Sequence, residues 1–299
     1  MAYEPHPHCL TPPDDTVVWR FVDLAKLLDL LENGQLWFSR ADLLEDPREG
    51  RLTDSERRQV RITHEDPEDQ IRRYESIRQD FYVNCWYAGE TESMAMWKLF
   101  HNGGYAFAIR STIGAIKKTL THEEGPVFAG RIQYLDWAES SSLPNNAIGM
   151  MVRKSRSYGH ESEVRLVIWA ALWRLPSIRV EVETEQRNTT PSSSAIDIAR
   201  VANDMADALR AASPTLEVPS DQYRRICGDA ILKSVQRAEF EAKPTGMPVR
   251  IDSKSLVTEL IVGPDVPNWV FELVKSLSLR YGLVAPISWS SLKSVEKHR

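Results

Sequence analysis

The chain reads as an α+β protein, a mixed sheet with flanking helices and an all-helical insertion, and three observations predict it. Segments with strand-like alternation, among them VVWRF, QLWFSR, FYVNCWYA and YAFAIR, are interleaved with segments of helical spacing. The closing LVTELIVGP, a helix from about Pro267 to Tyr281 and VAPISWS read as strand, crossover helix and parallel strand. After Val182 the composition turns polar in ETEQRNTTPSSS, and two amphipathic stretches follow. The expected organisation is a disordered segment 1–15, a main mixed domain 16–182, a helical insertion 183–244, and a strand-helix-strand unit 245–299 completing the main domain.

Element by element, Val17 to Phe21 forms a short strand and Asp23 caps a helix whose Leu24, Leu27, Leu28 and Leu31 recur at helical spacing. Gly34 stops that helix and QLWFSR returns as a strand. The acidic loop ADLLEDPREGR turns at Asp46-Pro47, and the charged, weakly helical stretch to about Asp80 reads as a surface subdomain or lid. FYVNCWYA is a core strand. Met96, Trp97 and Phe100 then form an apolar helical stripe ended by Gly103 or Gly104, and YAFAIR and Arg131 to Trp137 supply further strands. In the insertion, Ile198, Val201, Met205 and Leu209 make one stripe, and Tyr223, Cys227, Ile231 and Val235 another.

The bulk properties exclude several classes. With 37 Lys plus Arg against 42 Asp plus Glu, the net charge of -5 gives no broad basic footprint for nucleic acid or anionic membrane. Cys9, Cys85 and Cys227 are odd in number and far apart, matching neither a disulfide framework nor a cysteine zinc site, so no metal is expected and a reducing compartment fits. The N-terminus has no signal-peptide core and no apolar run approaches the ~20 residues of a membrane span, which predicts a cytoplasmic protein with no membrane partner. The oligomeric state is not readable.

The segment YGHESEVRLVIW carries the chemistry. On a strand Glu161, Glu163 and Arg165 would share one face, open to water or a cleft, with Val164, Leu166 and Ile168 on the apolar face. Two Glu residues roughly 6.5–7 Å apart at Cα can couple their ionisations and divide into acid and base. Arg165 could equally neutralise one of them in an ordinary ion pair. Asp42, Glu45, Asp46 and Glu49, with Glu161 and Glu163, offer an alternative: oxygen ligands for a metal-dependent phosphodiesterase or nuclease. A third reading is a non-enzymatic ligand- or protein-binding module that uses the charged face.

Several blocks in order, VWRFVDLAKLLDLLENGQLWFS, Asp46-Pro47-Arg48-Glu49, FYVNCWYA, MWKLF-HNGGYAFAI, the Glu-x-Glu-x-Arg segment and the terminal LIVGP with SW-S, resemble the bacterial domain of unknown function 2971 family over nearly the whole chain. Glu45 stands where that family commonly has Asn, and Cys85-Trp86 where it has Phe-Ser. A fainter resemblance is to ADP-ribosyltransferases, in the order Arg20, Ser39 with Tyr105, then Glu161-Ser162-Glu163. That resemblance implies NAD as substrate, an NAD-consuming transferase or glycohydrolase of toxin or defence type, and a protein or nucleic-acid acceptor for any transferred group. It implies Glu163 at the ribose, Glu161 at the acceptor, Arg20 at phosphate, and Ser39, Tyr105 and Arg165 as further contacts to this nucleotide-type molecule.

Overall fold

The computed structural model describes residues 3–101, 104–120, 125–139, 147–170 and 243–293. The two stripes expected in the insertion lie outside the described residues.

Strand β1 (Val17–Asp23) leads directly into helix α1 (Leu24–Asn33), where the Asp23 side chain accepts the Lys26 N–H at 2.8 Å. Gly34, at φ 56°, closes the helix by donating to the Leu30 carbonyl at 3.1 Å and hands the chain to β2 (Gln35–Arg40). Helices α2 (Asp54–Thr63) and α3 (Pro67–Ser76) precede the long strand β3 (Phe81–Ala88). Helix α4 (Met94–His101), strand β4 (Ala106–Thr112) and helix α5 (Ile113–Thr119) follow. Then come β5 (Phe128–Arg131), β6 (Gln133–Leu135), α6 (Ala147–Met151), β7 (Arg153–Ser155) and β8 (Glu163–Trp169). Beyond the undescribed stretch lie β9 (Gly246–Arg250), α7 (Ser253–Leu256), β10 (Glu259–Val262), α8 (Asn268–Arg280) and β11 (Ile287–Trp289).

Nine of these strands form one mixed, mostly antiparallel sheet, and it forks. β8 pairs with β3 over its whole length, from Phe81↔Trp169 to Tyr87↔Glu163, and so occupies one edge of that strand. The other edge is shared. Its C-terminal end pairs with β1 through Val18↔Ala88 and Trp19↔Tyr87, and its N-terminal end with β2 through Ser39↔Val83 and Arg40↔Tyr82. From the fork one arm continues as β4, β10 and β11, and the other as β9. β10 and β11 run parallel and are joined by α8, as the closing segment predicts. β5 lies outside β8, and β6 with β7 forms a separate parallel pair.

Paired residues share a face, so the register sorts the side chains into layers. Val18, Val22, Trp86, Phe107, Ile109, Leu166 and Leu260 face the main core, covered by Leu27 and Leu30 of α1, Ile116 of α5 and Val270 and Val274 of α8. On the opposite face Phe81, Val83, Val167 and Trp169 meet Val60 of α2, Ile71 of α3 and Met150 and Met151 of α6. Nearby, Trp19, Phe21 and Ala108 lie under Met96 and Trp97 of α4.

Two expectations are corrected. The segment 1–15 is anchored from Tyr3 onward: Tyr3 bridges Val127, Glu4 N–H donates to the Val127 carbonyl at 3.0 Å, and the buried His6 ring meets Phe128 edge-on at 5.1 Å. The charged stretch before Asp80 is packed onto the sheet rather than free to act as a lid: Leu52, Val60 and Ile71 are buried in the sheet's second core, while Ile62 is exposed. Among the described residues no helix is long and apolar enough to cross a membrane.

Candidate functional site: a buried carboxylate cluster beside the fork

β8 lies between β3 and β5, and all seven of its residues are buried. This overturns the open charged face expected for YGHESEVRLVIW. Val164, Leu166 and Ile168 fill one core as anticipated, but the alternate set Glu163, Arg165, Val167 and Trp169 points into a second packed layer rather than into water. Glu161 is not on the strand. It ends a short 3-10 segment, Arg156–Glu161, and Ser162 at φ 40° redirects the chain before β8 begins.

The carboxylates nonetheless converge. Arg165 donates Nε to Glu163 Oε1 at 2.7 Å and Nη2 to Glu163 Oε2 at 3.0 Å, a two-point contact between residues two apart on one strand. Arg165 Nη2 also lies 2.5 Å from Glu49 Oε2, and its Nη1 donates to the Met151 carbonyl at 2.9 Å. Lys154 reaches Glu161 at 2.6 Å, Glu49 at 3.2 Å and Glu163 at 3.5 Å, with its ammonium 4.6 Å from the centre of the Tyr158 ring. The Tyr134 hydroxyl accepts the Glu163 backbone N–H at 2.8 Å. Three carboxylates thus face two cations, and Glu161, whose side chain is 18% exposed against 4% for Glu163 and Glu49, is the carboxylate nearest solvent.

This environment separates the two glutamates. Burial pushes the Glu163 carboxyl up, but Arg165 and Lys154 outweigh it and hold the group below the ordinary carboxylate value. Burial also pushes Glu161 up. There Glu163 and Glu49 add to the rise, and Lys154 only partly offsets it, so Glu161 holds its proton more tightly than a free carboxylate. Burial would favour the neutral forms of Lys154 and Arg165, yet the surrounding carboxylates raise both and keep them charged. Burial lifts the Tyr134 hydroxyl to about 12.

Cys85 connects this cluster to the fork. Its side chain shares the face of Arg165 and Glu163, and burial together with the Glu163 carboxylate keeps the thiol protonated. Its carbonyl accepts from Arg20 Nη1 at 2.9 Å. Arg20 Nη2 and Asn84 Nδ2 reach the Trp37 carbonyl at 3.5 and 2.9 Å, so these two side chains tie the arms together where β1 and β2 diverge. Burial lowers the Arg20 guanidinium to about 10, still a cation at neutral pH.

Of the six residues the sequence singles out, Ser39, Glu163 and Arg165 share one sheet face, and Glu161 joins them through Lys154. Arg20 enters the fork from the other face, where its β4 partner is the core residue Ile109. Tyr105 does not join the site. It packs against the main core and meets Trp269 of α8 edge-on at 5.9 Å, because the alternation that buries Phe107 and Ile109 carries it to that side.

The acidic loop does not gather as a metal site either. Asp42 pairs with Arg40 at 2.6 Å, Glu45 is exposed, and Asp46 accepts the Arg48 N–H at 2.9 Å, so only Glu49 enters the cluster. Among the described residues no group of three or more His, Cys, Asp or Glu side chains is arranged to hold a metal ion. Sequence reading missed Lys154 and Tyr134. Lys154 had one usable signal, a pair of cations, Arg153 and Lys154, just ahead of two carboxylates.

No protein-family model matches the chain, and comparison with curated proteins and with solved structures finds no match.

Proposed function

We propose that this protein is an NAD-consuming enzyme, an ADP-ribosyltransferase-like protein or glycohydrolase, working at the fork beside the carboxylate cluster. One observation carries the reading: two glutamates two residues apart meet the same Lys154 ammonium in unequal surroundings, Glu163 buried against Arg165 and shifted down, Glu161 at the rim and shifted up by burial, an arrangement that suits acid-base work. Cleavage of the nicotinamide-ribose bond sends the bonding pair to the leaving base and builds positive charge on the ribose. The cluster, with one carboxylate in excess of its cations, stabilises that charge. Glu161, at the solvent-facing rim, takes the proton from the attacking water or acceptor hydroxyl. Glu163 acts as a fixed charge that positions Lys154 and Arg165; Ser39 shares their sheet face, and Arg20 lies across the sheet from them. The resemblance to ADP-ribosyltransferases supports a toxin or defence context with a protein or nucleic-acid acceptor, and that to the domain of unknown function 2971 family a bacterial one. The test is nicotinamide release from NAD by wild type, Glu161→Gln and Glu163→Gln, with and without cell extract as acceptor source.

A second reading, a non-enzymatic ligand- or protein-binding module, is favoured by one feature. Arg165 already satisfies both Glu163 oxygens in a buried pair, as a purely structural ion pair would. Binding of NAD without turnover in any variant would select it.

A further inference from the structure

Next to the carboxylate cluster along the chain stands a group of cations with too few partners. Arg51 precedes α2, Arg57 lies on it, and Arg78 follows α3. Arg57 Nη2 donates to one oxygen of Glu75, and Arg51 Nη1 lies 3.7 Å from the other. Among the described residues no carboxylate pairs with Arg78, whose Nη1 donates to the Glu49 carbonyl at 3.1 Å. Asp42, which acts on Arg78 only through its charge, is held by Arg40 at 2.6 Å. Three guanidinium groups thus share one carboxylate, and the Nε atoms of Arg51 and Arg57 are buried without a hydrogen-bond acceptor. Burial and the charge of Arg51 both lower the Arg78 guanidinium, as like charges held together do.

The group is built into the fold. Gly50, at φ 66°, brings its backbone so close that a Cβ there would lie 3.2 Å from Arg78 Cδ and 2.9 Å from Met151 Cε. Glu49 belongs to both clusters: its carbonyl takes Arg78, while its carboxylate lies 2.5 Å from Arg165 Nη2 and 3.2 Å from Lys154. The side chains of Arg51 and Arg57 keep 36% and 29% of their surface in solvent, so an anion can reach them. We propose that Arg51, Arg57 and Arg78 form an anion site that takes the pyrophosphate of a nucleotide; that this nucleotide is NAD rests on the reading of the carboxylate cluster above. Guanidinium forks match phosphate oxygens in charge and geometry, and a pyrophosphate supplies the acceptors that Glu75 alone does not. The neighbouring cluster has carboxylates in excess and repels phosphate, so the two clusters divide a nucleotide by charge.

Isothermal titration of inorganic pyrophosphate into the full chain tests this, with Arg51→Gln, Arg57→Gln and Arg78→Gln. Arg61→Gln, exposed on α2 and paired with Glu68 at 2.9 Å, is the control. Circular dichroism verifies that each variant is folded. The expected result is saturable binding by wild type and by the control, weakened about tenfold or more in the three variants. No saturable binding by wild type, or equal affinity in all four variants, overturns the proposal. NAD turnover separates this site from the reading it borrows. Pyrophosphate binding that the three variants weaken, without NAD turnover, upholds the anion site and removes the NAD-consuming reading. Turnover with a KM that the three variants leave unchanged overturns the anion site and leaves that reading standing.

Discussion

Glu163 and Arg165, two residues apart on one strand, are locked together by contacts of 2.7 and 3.0 Å in a buried layer where neither could remain charged alone. Truncating one partner leaves an uncompensated buried charge. Glu163→Ala is expected to lose about 3–5 kcal/mol of unfolding free energy, measured by urea denaturation. Glu161→Gln, at the rim and with Lys154 still held by Glu49 and Glu163, is expected to change stability by less than about 1 kcal/mol.

Glutamine substitution at the two glutamates is expected to change the pH dependence of stability with opposite sign. Glu163 is depressed in the folded protein, so its stabilising contribution is complete above the unfolded value near 4.5 and is lost as pH falls through the lower folded value. Glu161 is raised, so the folded state binds its proton more tightly and folding gains from that group as pH falls toward 4.5. Denaturation curves in an acidic pH series should show the deficit of Glu163→Gln relative to wild type shrinking with acid. Glu161→Gln should lack the compensating gain that wild type shows.

Cys85 stays a thiol. Because burial and the Glu163 carboxylate oppose ionisation, native protein at neutral pH is expected to resist iodoacetamide at Cys85, and denatured protein to react fully, as read by mass spectrometry. Rapid labelling of native Cys85 would show that its thiolate is populated.

How much of this was written in the sequence differs between fold and site. Asp23 as a cap, Gly34 as a stop and the parallel β10–β11 closure follow from local rules, because caps, left-handed glycines and crossovers depend on a few neighbouring residues. The site depends on which strand is central. The alternation in β8 was legible, yet alternation alone does not say whether the second face is open or covered, and here α6 and the second core cover it. Lys154 and Tyr134 come from the β6–β7 pair, whose contact with the cluster no spacing rule encodes. Tyr105 was misplaced because order along the chain does not fix the face to which a strand turns a residue.

A steric prediction follows from Gly263 at the end of β10. A Cβ there would lie 2.6 Å from the Ala106 carbonyl oxygen and 3.1 Å from the Trp97 ring. Gly263→Ala is therefore expected to cost about 1–3 kcal/mol and to lower the thermal midpoint, since a backbone oxygen cannot swing aside.

The most direct test of the functional account is the rate of nicotinamide release from NAD by wild type beside Glu161→Gln, assayed with and without cell extract. The account predicts turnover by wild type and a loss of about 10²–10⁴-fold in the variant, whose fold and stability are retained. Absence of turnover by wild type in both conditions, or equal rates for the two proteins, would contradict it.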